Sequence, residues 1–203
     1  MNKRVALFGG SFNPIHNGHI ALAEAVLAAR LADEVWLMVS PQNPLKQQAD
    51  LLAETTRLQL ARKALAGRDQ IKVSDFEFHL PRPSYTWNTL QALHEAYPDV
   101  TFSLLIGGDN WRCFHKWAHY AEILAHYSII VYPRAESEVD EQQLPANVTL
   151  LHVPLFPFSS TNVRNKVRCG ESIKSYVPKI VCDDINKAYT CNESVWVLRF
   201  GVK

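Results

Sequence analysis

The chain has 203 residues, 47% hydrophobic and 20% charged, with a formal net charge of +1. That length and composition suit a soluble globular protein with one sizeable core, and a near-neutral balance gives no overall field for nucleic acid or an acidic partner. The opening apolar run at residues 5–10 is too short for a signal peptide, no stretch approaches the roughly 18 apolar residues of a spanning helix, and the cysteines form no Cys-x-x-Cys pair, so they read as reduced thiols of a cytoplasmic protein.

Strand and helix alternate along the chain. Residues 5–8 read as a buried strand, and residues 18–31, rich in Ala and Leu and free of Pro, as a helix. Residues 34–39 return as a strand, and residues 40–50 hold two prolines and read as a loop. A helix over 51–66 ends at Gly67, a suitable C-terminal cap. A short strand at 71–73, a helix over 86–97 stopped before Pro98, and a strand at 101–106 follow. Residues 117–126 read as helical and 127–132 as a strand. Residues 134–143 read as a polar, acidic excursion and 148–153 as the last core strand, with helices over 159–168 and 178–189. This pattern predicts an α/β, Rossmann-like open parallel sheet with helices on both faces. No repeat or linker divides residues 1–189, so they are expected to form a single domain closed by the helices at 159–189. Residues 190–203 break the pattern and read either as an edge strand around 195–200 or as a tail.

The strongest local signal is Gly9-Gly10-Ser11-Phe12-Asn13-Pro14-Ile15-His16-Asn17-Gly18-His19, between the first strand and the first helix. Ligands of open α/β sheets bind beyond the carboxyl ends of the strands. Two glycines permit a tight turn and a close approach of backbone to ligand, and the amides at the helix start favour an anion. His16 and His19 are three apart, so in a helical turn both imidazoles face one side and can donate to phosphate oxygens. The dinucleotide-oxidoreductase fingerprint G-x-G-x-x-G is absent. A second cluster, Ser159-Ser160-Thr161-Asn162-Val163-Arg164, opens a late helix with hydroxyls, amides and a guanidinium that can fork onto phosphate oxygens.

The first string resembles the signature of the nucleotidyltransferase superfamily with the H-x-G-H motif, and the second its S-S-T-x-I-R, with Val163 in place of the usual Ile. Class I aminoacyl-tRNA synthetases carry a related histidine motif but are far longer. The resemblance implies that Gly9, Gly10, Ser11, Phe12, His16, Gly18 and His19 bind ATP together with Ser159, Ser160, Thr161 and Arg164.

Middle segments bear on the second substrate. Pro83-Ser84-Tyr85-Thr86 precedes a helix with Thr86 as its cap, and Ile106-Gly107-Gly108-Asp109 ends a strand with a carboxylate suited to a ribose hydroxyl. Trp111 and Trp117 follow; an indole either stacks on a flat ring or packs in the core. This set resembles bacterial nicotinate-nucleotide adenylyltransferase, which carries P-S-Y-T, I-G-x-D and a following tryptophan in that order, and the resemblance runs from Arg4 to about Tyr189. It implies that Thr86 and Trp117 contact the nicotinate moiety and Asp109 the ribose, with Asn13, Tyr85 and Gly107 also on the substrate side. Arg134 either contacts the adenine-ribose region or faces solvent. The family's P-P-H-K stands here as Asn43-Pro44-Leu45-Lys46, in which Lys46 still reaches a phosphate. The family's E-x-x-R stands as Glu77 to Leu80 with Arg82 nearby, and Ala118 replaces a frequent aromatic residue.

The reaction implied is transfer of AMP from ATP to nicotinate mononucleotide, with His16, His19, Lys46 and Arg164 stabilising charge beside Mg2+ that is bound mainly by the phosphates. Rivals are another adenylyltransferase, such as one using phosphopantetheine, a cytidylyltransferase, or a nucleotide sensor without catalysis. No metal site is expected in the protein itself, because His115 and His119 have i, i+4 spacing but no acidic third ligand. His79, His94, His126 and His152 read as surface or packing residues. Nothing in the sequence argues for a membrane or nucleic-acid partner, and it leaves the oligomeric state open.

Overall fold

The computed structural model describes residues 2–41, 51–134 and 137–190. Its elements are β1 (Lys3–Gly10), α1 (Asn17–Ala28), β2 (Glu34–Val39), α2 (Glu54–Ala64), β3 (Ile71–Ser74), α3 (Thr86–Ala96), β4 (Val100–Gly107), α4 (Gly108–Arg112), α5 (Tyr120–His126), β5 (Ser128–Tyr132), β6 (Val148–Leu150), α6 (Ser160–Arg168) and α7 (Cys182–Tyr189). The strands form one sheet in the order β3-β2-β1-β4-β5-β6, and every pairing is parallel. Parallel strands require crossovers, and the crossovers cover both faces, so the strands are buried on both sides.

Val5, Ala6, Leu7 and Phe8 are all buried, and their side chains alternate between two cores. Ala6 and Phe8 face the layer of Ile20, Ala23, Leu58, Ala61, Val163 and Ile185, supplied by α1, α2, α6 and α7. Val5 and Leu7 face the layer of Leu90, Leu93, Phe114 and Ile123, built around α3 and α5. The strand order reverses between β1 and β4. A crevice opens there at the carboxyl ends of the strands, where open α/β sheets bind ligands.

The predicted alternation holds, with local differences. The helix expected over 117–126 begins only at Tyr120, because Trp117 is extended (φ −74°, ψ 144°) and His119 is left-handed (φ 57°), which a right-handed helix cannot continue through. The short α4 is too brief to leave a readable period. The last strand stops at Leu150, and the final helix is preceded by a 3₁₀ turn over Lys179–Val181. Thr86 is the first residue of α3, and Tyr85 is the residue that caps it. Gly67 does adopt the left-handed backbone that favours glycine (φ 82°), three residues past the end of α2. Lys46 with its neighbours in the loop after β2, and the segment 191–203, lie outside the described residues. Among the described residues no helix is long and apolar enough to cross a membrane.

Candidate active site

The loop leaving β1 is shaped by Phe12. Its backbone is left-handed (φ 44°), its ring is buried, and it meets Phe8 and His19 edge-on at centroid distances of 5.6 and 4.9 Å. A non-glycine residue in that conformation is held by its surroundings and is typical of functional loops. A Cβ on Gly10 would lie 3.2 Å from the Phe12 ring, so Gly10 makes room for packing. A Cβ on Gly9 would meet nothing within 4 Å, so that glycine borders open space.

His16 is the N-cap of α1 in extended backbone (φ −146°, ψ 169°), and His19 lies in the first turn. The imidazoles stack with centroids 3.6 Å apart and planes at 21°. The His16 backbone N–H donates to His19 Nδ1 at 3.2 Å. That bond fixes the tautomer of neutral His19: the proton sits on Nε2, which remains a donor. Burial, and then the Arg134 charge, lowers the His16 pKa to about 3. Burial, then His16 and Arg134, hold His19 well below the ordinary histidine range. Both rings are therefore neutral at pH 7 in the free protein and act as hydrogen-bond donors rather than cations. A Cβ on Gly18 would lie 3.1 Å from His16 Nδ1 and from the Phe158 Cβ, so this glycine lets the histidine ring lie flat on the helix start.

The late Ser-Ser-Thr-x-x-Arg cluster docks on the first loop. Ser159 caps α6 by accepting from the Asn162 N–H at 3.0 Å, and the Ser160 hydroxyl donates to the Pro14 carbonyl at 2.9 Å. Arg164 donates through Nη1 to the Asn13 carbonyl at 2.8 Å and through Nη2 to Thr161 Oγ1 at 3.3 Å. Among the described residues, two buried side-chain nitrogens have no hydrogen-bond partner, His16 Nδ1 and Arg164 Nε. Both belong to this junction of the two motifs. Asn13 does not turn its side chain outward as a substrate contact would. It is 1% exposed, and its Oδ1 accepts from the Leu52 N–H at 3.2 Å and from the Tyr189 hydroxyl at 2.5 Å.

A cleft of about 350 Å³ lies at the switch point, bounded by Gly9, Gly10 and Ser11 on the β1 side and by Tyr85, Thr86, Gly107 and Trp117 on the other. Trp111 does not line this cleft; its ring stacks on Phe114 at 5.4 Å and 23°, and Trp117 packs on the same ring at 5.4 Å and 53°. Asp109 and Arg134, at the ends of β4 and β5, lie beside one another, with Arg134 Nε 3.7 Å from Asp109 Oδ1 and Nη2 donating to the Tyr132 hydroxyl at 2.8 Å. His115 sits in a 3₁₀ turn and His119 is the left-handed residue before α5, so their spacing is not that of one helix face. Among the described residues no three His, Cys, Asp or Glu side chains gather as a metal site.

Of two buried ionisable residues beside the cleft, sequence reasoning missed Arg57 and named Glu77 only as the first residue of E-x-x-R. Arg57 is fully buried on the apolar face of α2 and donates Nε to the Leu52 carbonyl (2.9 Å), Nη1 to those of Ser11 (2.5 Å) and Ser40 (2.9 Å), and Nη2 to that of Pro41 (3.1 Å). Glu77, also buried, lines the cleft and accepts from the Thr89 hydroxyl at 3.0 Å. Burial raises its pKa, against the hydrogen bonds of Thr89, Ser40 and Ser84. The available signal was an arginine at a helix position otherwise filled by Leu and Ala, which marks burial but not its partners.

A cytidylyltransferase-like family model matches residues 7–166. A relative from Bacteroides fragilis, named "Probable nicotinate-nucleotide adenylyltransferase", is 44% identical over 196 residues, covering 93% of this chain and 98% of its own. A relative of the same name from Bacteroides thetaiotaomicron is 44% identical over 178 residues, covering 87% of this chain and 88% of its own. In fold, the chain is similar to the nicotinic acid mononucleotide adenylyltransferase of Plasmodium falciparum complexed with NaAD, with a TM-score of 0.77 at 21% identity over 91% of this chain and 95% of that one. With the two motifs joined at one loop and relatives matching along most of its length, the chain belongs to the nicotinate-nucleotide adenylyltransferase family of cytidylyltransferase-like proteins.

Proposed function

We propose that this protein transfers AMP from ATP to nicotinate mononucleotide, forming deamido-NAD and pyrophosphate in the route to NAD. The observation that carries the reading is the continuity of the site. One cleft runs from Gly9–Ser11, next to the stacked histidines, to Thr86 and Trp117 on the opposite wall. A triphosphate at the first end and a planar ring at the second place two nucleotides across the switch point. The family membership supports the choice of substrates.

The 5′-phosphate oxygen of the mononucleotide attacks the α-phosphorus of ATP, the bond to the bridging oxygen breaks, and pyrophosphate leaves with its electron pair. The nucleophile is already an anion, so alignment and charge stabilisation supply the catalysis. His19 donates from Nε2, and His16 supports its ring by stacking and by the backbone bond to Nδ1. Arg164 brings positive charge to the loop at Asn13, the α6 amides after Ser159 add donors, and Lys46 is assigned to a phosphate. Asp109 is assigned to ribose, and Arg134 holds that carboxylate from behind. Mg2+ carried by the phosphates would supply charge neutralisation on the departing pyrophosphate. A cytoplasmic setting accords with the free thiols of Cys113, Cys169 and Cys182.

The test is pyrophosphate release with ATP, Mg2+ and either nicotinate or nicotinamide mononucleotide. The expected outcome is turnover with a strong preference for the nicotinate form. Activity confined to phosphopantetheine would leave the phosphate half standing and remove the assignments of Thr86 and Trp117.

A further inference from the structure

The cleft wall assigned to the pyridine ring has two arms. Tyr85 and Thr86 form one, at the start of α3, and Trp117 and Ala118 form the other, ahead of α5. Each arm is followed by an aromatic ring that stands outside the cleft lining, Trp87 after Thr86 and His119 after Ala118. These two rings stack on one another, with centroids 5.7 Å apart and planes at 26°. The contact lies one residue beyond the wall on both arms, so it ties them together next to the surface that would meet the ligand. Both rings are themselves held. Trp87 packs on the core layer of Leu90, Leu93 and Ile123, and it meets Tyr127 edge-on at 6.4 Å and His126 at 6.4 Å. His119 Nδ1 lies 3.1 Å from Glu122 Oε1. The left-handed backbone of His119 (φ 57°, ψ 34°) turns the chain from the extended Trp117 into α5, where the Ile123 N–H donates to the His119 carbonyl at 2.9 Å. A non-glycine residue keeps this backbone where its surroundings fix it. The surroundings here are the Trp87 indole and the Glu122 carboxylate, so the course of the Trp117–Ala118 arm depends on the stack.

We propose that Trp87 and His119 are positioning residues whose ring stack sets the spacing between the Thr86 arm and the Trp117 arm, and so the width of the cleft at its pyridine end. The inference rests on the adenylyl-transfer reading of the cleft. A stack controls spacing because dispersion attraction is short-ranged: a gap of about 0.5–1 Å already forfeits a quarter to a half of it. Ala118 offers only a methyl group to the wall, so the arm it belongs to takes its place from its neighbours rather than from its own bulk. The phosphate-side loop is fixed separately, by the bonds of Ser160 to the Pro14 carbonyl and of Arg164 to the Asn13 carbonyl. Loosening the stack therefore widens one end of the cleft and leaves the other in place.

The experiment measures kcat and both KM values with ATP, Mg2+ and nicotinate mononucleotide for wild type, Trp87→Leu, Trp87→Phe, His119→Asn and the double variant of Trp87→Leu with His119→Asn. Leucine keeps apolar packing without a flat ring, and asparagine tolerates a left-handed backbone without an imidazole. Trp87→Leu and His119→Asn are each expected to raise the KM for the mononucleotide about fivefold, the scale of one aromatic pair, with the ATP KM changed less than about twofold. Trp87→Phe keeps a ring and should restore most of the loss. The double variant should be no worse than the more impaired single one, because both changes break one contact. A merely structural role would lower the active fraction, and so kcat, without separating the two KM values. Equal changes in both KM values, or none, in His119→Asn would overturn the inference while wild-type turnover keeps the reading of the site. So would a Trp87→Phe variant as impaired as Trp87→Leu. His119 is exposed, so its variant decides the matter on its own where Trp87→Leu does not fold. A wild-type protein with no turnover on the mononucleotide removes the reading of the site and the inference with it.

Discussion

At the scale of single residues, the proposed site sets neutral donors next to a few cations. His19 is uncharged at pH 7 and aims one N–H from a tautomer fixed by the His16 backbone. A preorganised neutral donor stabilises charge that develops in the transition state without a proton changing hands. His19→Ala is expected to lower kcat at least about a hundredfold, the range for losing such a donor. The readout is pyrophosphate release by a variant whose circular dichroism matches wild type, and near-normal turnover would refute the role. The histidines and glycines of this loop were legible in the sequence because their chemistry is local to eleven consecutive residues. Arg57 was not. Its carbonyl partners at Ser11 and Ser40 lie 46 and 17 positions away, and a periodic pattern says only that a position faces inward.

At the scale of elements, the carboxyl-terminal helices close the amino-terminal loop. α6 reaches it through Ser160 and Arg164, and α7 through Tyr189, whose hydroxyl meets Asn13 across 176 positions. Burial pushes the Tyr189 pKa up, so the phenol stays protonated and donates. Tyr189→Phe should cost about 1 kcal/mol of stability, a typical net value for one hydrogen bond. Urea unfolding measures it, and an unchanged midpoint would mean that this contact does not hold α7 in place. The long elements were readable from their apolar periods and from the prolines and glycines that bound them. The stretch between β4 and β5 was not, because the five-residue α4, a 3₁₀ turn and the left-handed His119 each occupy less than one readable period. For the same reason Trp111 and Trp117, six residues apart and alike in sequence, separate only in space: both rings pack on Phe114 at 5.4 Å, and Trp117 also lines the cleft.

At the scale of the whole molecule, folding keeps two imidazoles neutral that the unfolded chain would protonate. Below the ordinary histidine pKa of 6.5 the unfolded state binds protons at His16 and His19, and the folded state does not, down to about pH 3 for His16. Stability contributed by neutral burial is therefore complete above pH 6.5 and falls as the pH drops toward 3. Thermal unfolding from pH 7.5 to 4.5 should show a falling midpoint, with a shallower fall in His16→Gln than in wild type. Parallel curves would show that His16 titrates alike in both states. By itself, the sequence determined the alternation of strands and helices, the parallel open sheet it requires, and the two polar motifs at helix starts that are proposed to bind phosphate, because hydrophobic period and loop chemistry are properties of neighbouring residues. Only the tertiary structure decided that the late motif docks on the first loop, that Asn13 faces inward, that Asp109 pairs with Arg134, and that Arg57 gathers the carbonyls of Ser11, Ser40, Pro41 and Leu52. Those are contacts between segments far apart in the chain, and which partners a buried polar group finds depends on how the strands are ordered in the sheet.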